Sequence, residues 1–194
     1  MERLAQQITN LIQTNNPKLS DLEIKKIKFG LECFFGEVTK LIIYLVIFST
    51  LSLTKHFLIA TLFFCIPRMP AGGFHEDTYW RCFFTSLMIF SAIAIGGSRF
   101  FLNWPIRFAL ILITLILIWI YAPVDHPNKP IISLERRKRL KYFSLAATAV
   151  LVGISFIIPE KYAATATFAL LCEALSLPIG ELSKRRFTNE AINR

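Results

Sequence analysis

Six apolar blocks, about Val38 to Leu53, Phe57 to Ile66, Phe83 to Ile95, Phe108 to Ala122, Tyr142 to Ile158 and Tyr162 to Ile179, alternate with short polar connections. Hydrocarbon offers no partner to a backbone N–H or C=O, so chain of this kind must satisfy its own hydrogen bonds, which favours helices. The blocks are not an isolated excess: apolar residues form 54% of the 194 residues and charged residues only 18%. A mean hydropathy of +0.52 lies beyond the usual make-up of a soluble domain. The expected fold is therefore all-α, a polytopic membrane helical bundle with about six membrane-embedded segments. A simple span needs roughly 20 apolar residues. The stretch from Phe57 to Ile66 is short of that and must recruit neighbours, thin the bilayer or enter without crossing.

Ahead of the blocks, Leu4, Ile8, Leu11 and Ile12 recur at helical spacing, Asn15-Asn16-Pro17 interrupts, and Ser20-Asp21-Leu22-Glu23 has the form of a capping box. Two amphipathic helices are expected there, either lying at the interface with Lys25, Lys26 and Lys28 near anionic headgroups or forming a cytosolic cap. Early charges and the absence of an early apolar core argue against a cleavable signal peptide. The expected organisation is residues 1–30 as amphipathic helices, 31–180 as one transmembrane domain and 181–194 as a basic tail.

The net charge of +9 is distributed in alternation. Lys25, Lys26, Lys28, Lys40, Arg68, Arg81, Lys129, Arg136 to Lys141 and Lys184 to Arg186 fall in one set of connections. Lys55, Arg99, Arg107 and Lys161 fall in the other. Basic residues beside short loops stay cytoplasmic, so both termini and the Arg68 to Cys82 segment are expected on the cytoplasmic face of a cell membrane. The charge then reports orientation rather than nucleic acid, for which no aromatic and basic recognition motif is present.

Chemistry concentrates in Pro67-Arg68-Met69-Pro70-Ala71-Gly72-Gly73-Phe74-His75, followed seven residues later by Cys82. A thiol becomes a protease nucleophile when a neighbouring base favours its thiolate. On an unbroken helix seven residues rise by ~10.5 Å, too far for direct hydrogen bonding. Pro67, Pro70, Gly72 and Gly73 instead predict irregular backbone before His75, which can return the imidazole toward a thiol at a helix start. There the helix dipole also favours the thiolate. Glu76 and Asp77 are both candidates for a third group orienting His75. Arg68 suits a substrate carbonyl, carboxylate or developing oxyanion, or a plain positive-inside anchor.

The four cysteines are scattered without paired spacing, and the histidines His56, His75 and His126 lie in separate loops, so neither a disulfide framework nor a zinc site is expected. No phosphate loop or serine elbow occurs, and no cofactor is implied. The loop from Tyr121 to Ile131 leads into the basic run ending at Lys141, a surface suited to an acidic peptide or lipid. Glu173 stands alone within the last apolar block, where ionisable groups face the bundle interior or a water-filled cavity.

These residues together resemble the accessory gene regulator B family, AgrB, membrane peptidases that process quorum-sensing propeptides in Gram-positive bacteria. The likeness rests on Arg68, Gly72-Gly73, His75 and Cys82 in order and on Ala122-Pro123 through Asn128-Lys129-Pro130-Ile131. It extends to the basic N-terminal helices and the six blocks. The resemblance implies that Cys82 is the nucleophile and His75 its base, with Arg68, Gly73 and Lys129 as supporting or substrate-binding positions. It implies an AgrD-like propeptide as substrate, membrane lipid as surroundings, and a homodimer. Removal of the propeptide's acidic tail through a Cys82 thioester would then lead to a cyclic thiolactone or lactone. A different class of reading, a non-catalytic membrane carrier or peptide-binding module, follows from the apolar bundle, the basic face and Glu173.

Overall fold

The structure is a computed structural model that describes residues 2–16, 19–74, 76, 78–125, 131 and 133–192, with side chains from 3 to 184 among them. Among the described residues there are seven helices and no strand. They fall into two compact units, Met1–Thr50 and Leu51–Arg194.

The first unit holds α1 (Glu2–Asn15) and α2 (Asp21–Thr50). Helix α1 ends two residues before Pro17, whose ring disfavours helical backbone in the residue preceding it. The capping box is formed: Ser20 N donates to Glu23 Oε2 at 2.9 Å and Glu23 N to Ser20 Oγ at 3.4 Å. These contacts, the backbone one foremost, hold the Glu23 carboxyl below its usual range. The sequence suggests a short second helix followed by a separate apolar block; the structure has one helix of 30 residues. No proline interrupts this stretch, so nothing stops the turn that Ser20 starts, and the helix is ~45 Å long.

The second unit contains α3 (Thr54–Ala71), α4 (Tyr79–Arg99), α5 (Trp104–Tyr121), α6 (Leu134–Ser155) and α7 (Glu160–Ile192). Helix α7 is its centre and packs against each of the other four. Its buried residues are mostly small, including Ala163, Ala164, Ala166, Ala169 and Ala174, which lets neighbouring backbones approach closely. Closest of all is Gly97 of α4, where an added Cβ would stand 2.2 Å from Thr165 Oγ1 and 2.5 Å from Thr165 Cα. Phe57 and Phe64 of α3 meet Phe90 of α4 edge to face, with centroids 5.6 and 5.5 Å apart.

A simple hairpin between the last two blocks is expected from sequence, and a short turn does join them, with Tyr162 N donating to Pro159 O at 2.8 Å. Yet α6 lies more extensively against α3 than against α7. Its buried stripe is Ser144, Thr148, Leu151 and Ser155, and the Ser144 and Thr148 hydroxyls return to carbonyls of their own helix at 2.8 Å. The stripe is thereby polar by composition without burying unpaired hydroxyls.

Among the described residues three helices are long and apolar enough to cross a bilayer: α4, α5 and the part of α7 from Glu160 to Lys184. Helix α5 leaves Phe108, Leu112, Ile116, Trp119 and Ile120 exposed, a continuous apolar face that water would penalise and lipid would not. These features make the chain a membrane protein.

Candidate functional site

Helix α3 runs through both Pro67 and Pro70 and stops at Ala71. Each proline removes one intrahelical donor, yet the irregular backbone expected around them begins only at the glycines. Gly72 has φ 75° and Gly73 φ 125°, conformations that L-residues with a Cβ adopt rarely. Space adds a second reason for glycine. A Cβ at Gly72 would lie 2.0 Å from the Val124 carbonyl oxygen, and one at Gly73 would lie 2.6 Å from Ser176 Oγ.

The chain leaving α3 is clamped on two sides. Val124 N donates to Ala71 O at 2.8 Å, and Phe74 N donates to Ser176 O on α7 at 3.2 Å. Gly180, one turn further along α7, makes room for this passage: a Cβ there would come within 2.8 Å of Phe74 N. The two sequence signatures, fifty residues apart, thus meet over the middle of α7, as the pairing of Gly72 with Val124 records. Ala71, Ala122, Val124, Ala174 and Leu177 close the floor beneath them.

Arg68 belongs to this clamp. Its Nη1 donates to Glu173 Oε2 at 3.1 Å and to Ser176 Oγ at 2.9 Å, and its Nη2 donates to the Phe74 carbonyl. The guanidinium carbon stands 5.4 Å from the centre of the Phe64 ring, within cation–π range. Glu173 is fully buried while the Arg68 side chain keeps 26% exposure. The interior orientation expected for Glu173 is found, with Arg68 as its partner.

Cys82 stands in the first turn of α4, and its N–H donates to Thr78 O at 3.0 Å. The helix start expected for this thiol is the one observed. Its Sγ is 4.0 Å from Ser86 Oγ. Glu76 folds back on the same helix and accepts from Thr85 Oγ1 at 3.4 Å. Tyr79, Trp80, Phe83 and Phe84 pack ring against ring over these first turns, Trp80 and Phe84 stacked at 6.3 Å. His75, Asp77 and Lys129 lie outside the described residues.

Asp125, in the second signature, is buried and binds in three directions. Its Oδ2 accepts from Ile131 N at 3.0 Å, its Oδ1 accepts from Lys184 Nζ at 2.5 Å, and Arg137 Nη2 lies 3.9 Å away. Burial pushes the Asp125 carboxyl upward, but the Lys184 ammonium and the Ile131 amide outweigh it and hold the group below its ordinary range. Asp125 therefore pins both ends of the segment containing Lys129 against α7 and α6. Sequence reading passed over Asp125, Lys184 and Ser176 as partners; Asp125 between prolines was a signal for a loop staple, but nothing local named Lys184.

At this end of the second unit lie the C-termini of α3 and α5, the N-termini of α4 and α6, and the Ser176 to Lys184 part of α7. The opposite end has its own polar contacts. His56 Nδ1 meets Thr165 Oγ1 at 2.7 Å, and the buried Arg107 donates to the carbonyl and hydroxyl of Ser155.

The family model for accessory gene regulator B matches residues 5–177. Accessory gene regulator protein B of Staphylococcus aureus strain Newman is 28% identical over 175 residues, covering 90% of this chain and 91% of that protein. The homologue of strain MW2 is 26% identical over 176 residues, covering 90% and 92%. An AgrB-like protein of Clostridium acetobutylicum is 28% identical over 161 residues, covering 83% of this chain and 77% of its own. No solved structure matches the chain.

Proposed function

The chain belongs to the accessory gene regulator B family, and on that premise we propose that it is a membrane cysteine endopeptidase that cuts the C-terminal tail from an AgrD-like propeptide and couples the cut to cyclisation. The observation that carries this reading is convergence: the strap leading to His75, the helix start bearing Cys82 and the loop bearing Lys129 all belong to one end of one helical unit.

In the proposed reaction His75 takes the Cys82 proton, and the thiolate attacks the scissile carbonyl carbon. As the tetrahedral intermediate collapses, the C–N bond breaks and the proton passes to the departing amine of the tail. The propeptide remains on Cys82 as a thioester. A thiol or hydroxyl within the bound propeptide then attacks that carbonyl, forming the ring and returning the Cys82 thiol. Thioester exchange keeps the acyl group activated only if water is held away, and the Tyr79, Trp80, Phe83 and Phe84 cluster supplies apolar bulk on the helix that carries the nucleophile. Arg136, Lys138, Arg139 and Lys141 suit an acidic tail by charge. By the positive-inside rule the basic residues at this end of the bundle support a cytoplasmic face in the proposed six-pass topology, with both termini inside and a second copy completing a homodimer.

The test is propeptide cleavage by purified protein reconstituted in lipid. Cys82→Ala and His75→Ala each abolish cleavage while the variants still insert and remain monodisperse. Normal cleavage by the Cys82→Ala protein refutes the peptidase and leaves the non-catalytic carrier as the alternative.

A further inference from the structure

Arg68 invites a substrate-binding role, because a guanidinium fork would meet a peptide carbonyl or carboxylate well. The structure commits its fork elsewhere. One arm reaches Glu173 and Ser176 on α7, and the other reaches the carbonyl of Phe74. Phe74 directly precedes His75 in the chain, and its own N–H is held by Ser176 O. The backbone just before His75 is therefore held from both sides of one peptide residue, by Arg68 at the carbonyl and by α7 at the amide.

Glu173 is the fixed point of this arrangement. It is fully buried, and its Oε2 accepts from both Arg68 and Ser176, the latter at 3.3 Å. Its Oε1 is buried with no hydrogen-bond partner. A carboxylate kept in the interior with one oxygen unpaired is a poor device for stability, since an apolar side chain would fill the same volume without the desolvation cost. It is a good device for aiming a guanidinium, because charge-assisted bonds to a buried carboxylate are strong and directional. Gly73 completes the logic: a Cβ there would stand 2.9 Å from Arg68 Nη1 and 2.6 Å from Ser176 Oγ, so the network occupies the space any side chain would need.

We propose that Glu173 is a positioning residue of the peptidase site: with Ser176 it orients Arg68, which holds the Phe74 carbonyl and so fixes the backbone immediately before His75. The inference rests on the Cys82 and His75 reading above. It assigns Arg68 to the support of the base rather than to the substrate, and gives the solitary acid of the last apolar block a task. Lysine cannot replace Arg68 in this role, because one ammonium on a flexible stem lacks the planar fork that spans Phe74 and α7 together.

The experiment uses the full chain in lipid vesicles, with Glu173→Gln, Glu173→Ala, Arg68→Lys and the Glu173→Gln/Arg68→Lys pair. Two readouts are taken: cleavage kinetics on the propeptide, and the pH profile of Cys82 alkylation by iodoacetamide in a background lacking Cys33, Cys65 and Cys172. The expected result is a fall in kcat of roughly 10-fold or more in each single variant, with KM within about 2-fold and an alkylation profile displaced toward that of His75→Ala. The double variant then loses less than the product of the single effects, as residues of one network do. The proposal is overturned if Glu173→Gln and Glu173→Ala both keep the parental kcat and alkylation profile, if Arg68→Lys acts through KM alone, or if the two substitutions multiply independently. Alkylation needs no cleavage, so a Cys82→Ala protein that still cuts peptide would refute the peptidase while leaving the coupling of Glu173 to the thiol separately measurable. Should Glu173→Ala fail to insert, Glu173→Gln, nearly identical in shape, decides alone.

Discussion

Gly72→Ala isolates the geometry on which the site depends. At φ 75° and ψ −137° the residue occupies backbone space that is nearly reserved for glycine, and placing alanine there costs about 1–3 kcal/mol. Its Cβ would also fall 2.0 Å from the Val124 carbonyl oxygen, a contact with backbone that no side-chain rotation relieves. Overpacking of that kind costs typically about 1–3 kcal/mol, so the sum is about 2–6 kcal/mol if the chain keeps its path. If it does not, the Val124 N–H to Ala71 bond opens and the two signatures separate. Either way thermal unfolding of the detergent-solubilised protein shifts downward by roughly 4–24 °C, using about 2–4 °C per kcal/mol for a chain of this size. Gly153→Ala is the control, since nothing lies within 4 Å of the added Cβ and alanine in a helix gains up to about 1 kcal/mol over glycine. A Gly72→Ala melting temperature no lower than the parent's, with Gly153→Ala at or above it, would refute the claim that the strap passes this close to Val124.

Asp125 carries the pH dependence. Its folded carboxyl is held below the unfolded value near about 4, so the stability it contributes is complete above that value and disappears as pH falls through the depressed folded one. Acid unfolding followed by intrinsic fluorescence should show a shallower limb below pH ~4 for Asp125→Asn, together with lower stability at neutral pH; an unchanged profile excludes the Lys184 pairing. Membrane orientation is checked with a charged maleimide on a protein whose only cysteine is Cys82. Label incorporated in inverted vesicles but not in sealed cells is the expected outcome, and the converse places the site outside.

Much of the candidate site was legible because it is written locally. Gly72-Gly73, coming just after two prolines, marks a break in the apolar run, and Cys82 reads as a helix start from the renewed apolar period. Pro67 and Pro70 misled, since their local preference for breaking a helix is weaker than the packing that keeps α3 helical: Phe63, Phe64, Pro67 and Ala71 are all buried on it, and their burial continues the helix past the lost donors. The long α2 was missed for the opposite reason. Charge changes partway along Asp21–Thr50, and a change of polarity looks like a boundary even when the hydrogen-bond ladder has none.

By itself the amino-acid sequence determined that this chain is helical and embedded in a membrane, since hydropathy summed along a segment decides its solvent and an unpaired backbone in lipid decides its secondary structure. It also offered a candidate chemistry, a histidine and a cysteine seven residues apart that both follow a pair of glycines. Only the tertiary structure decided what the charged residues near those glycines do. Arg68 and Glu173 lie 105 positions apart and Asp125 and Lys184 lie 59 apart. Whether such residues meet depends on how each helix is rotated about its axis and how far it slides along its neighbours, quantities set by the small side chains of α7 and the glycines at Gly72, Gly97 and Gly180, and by nothing within reach of a local pattern.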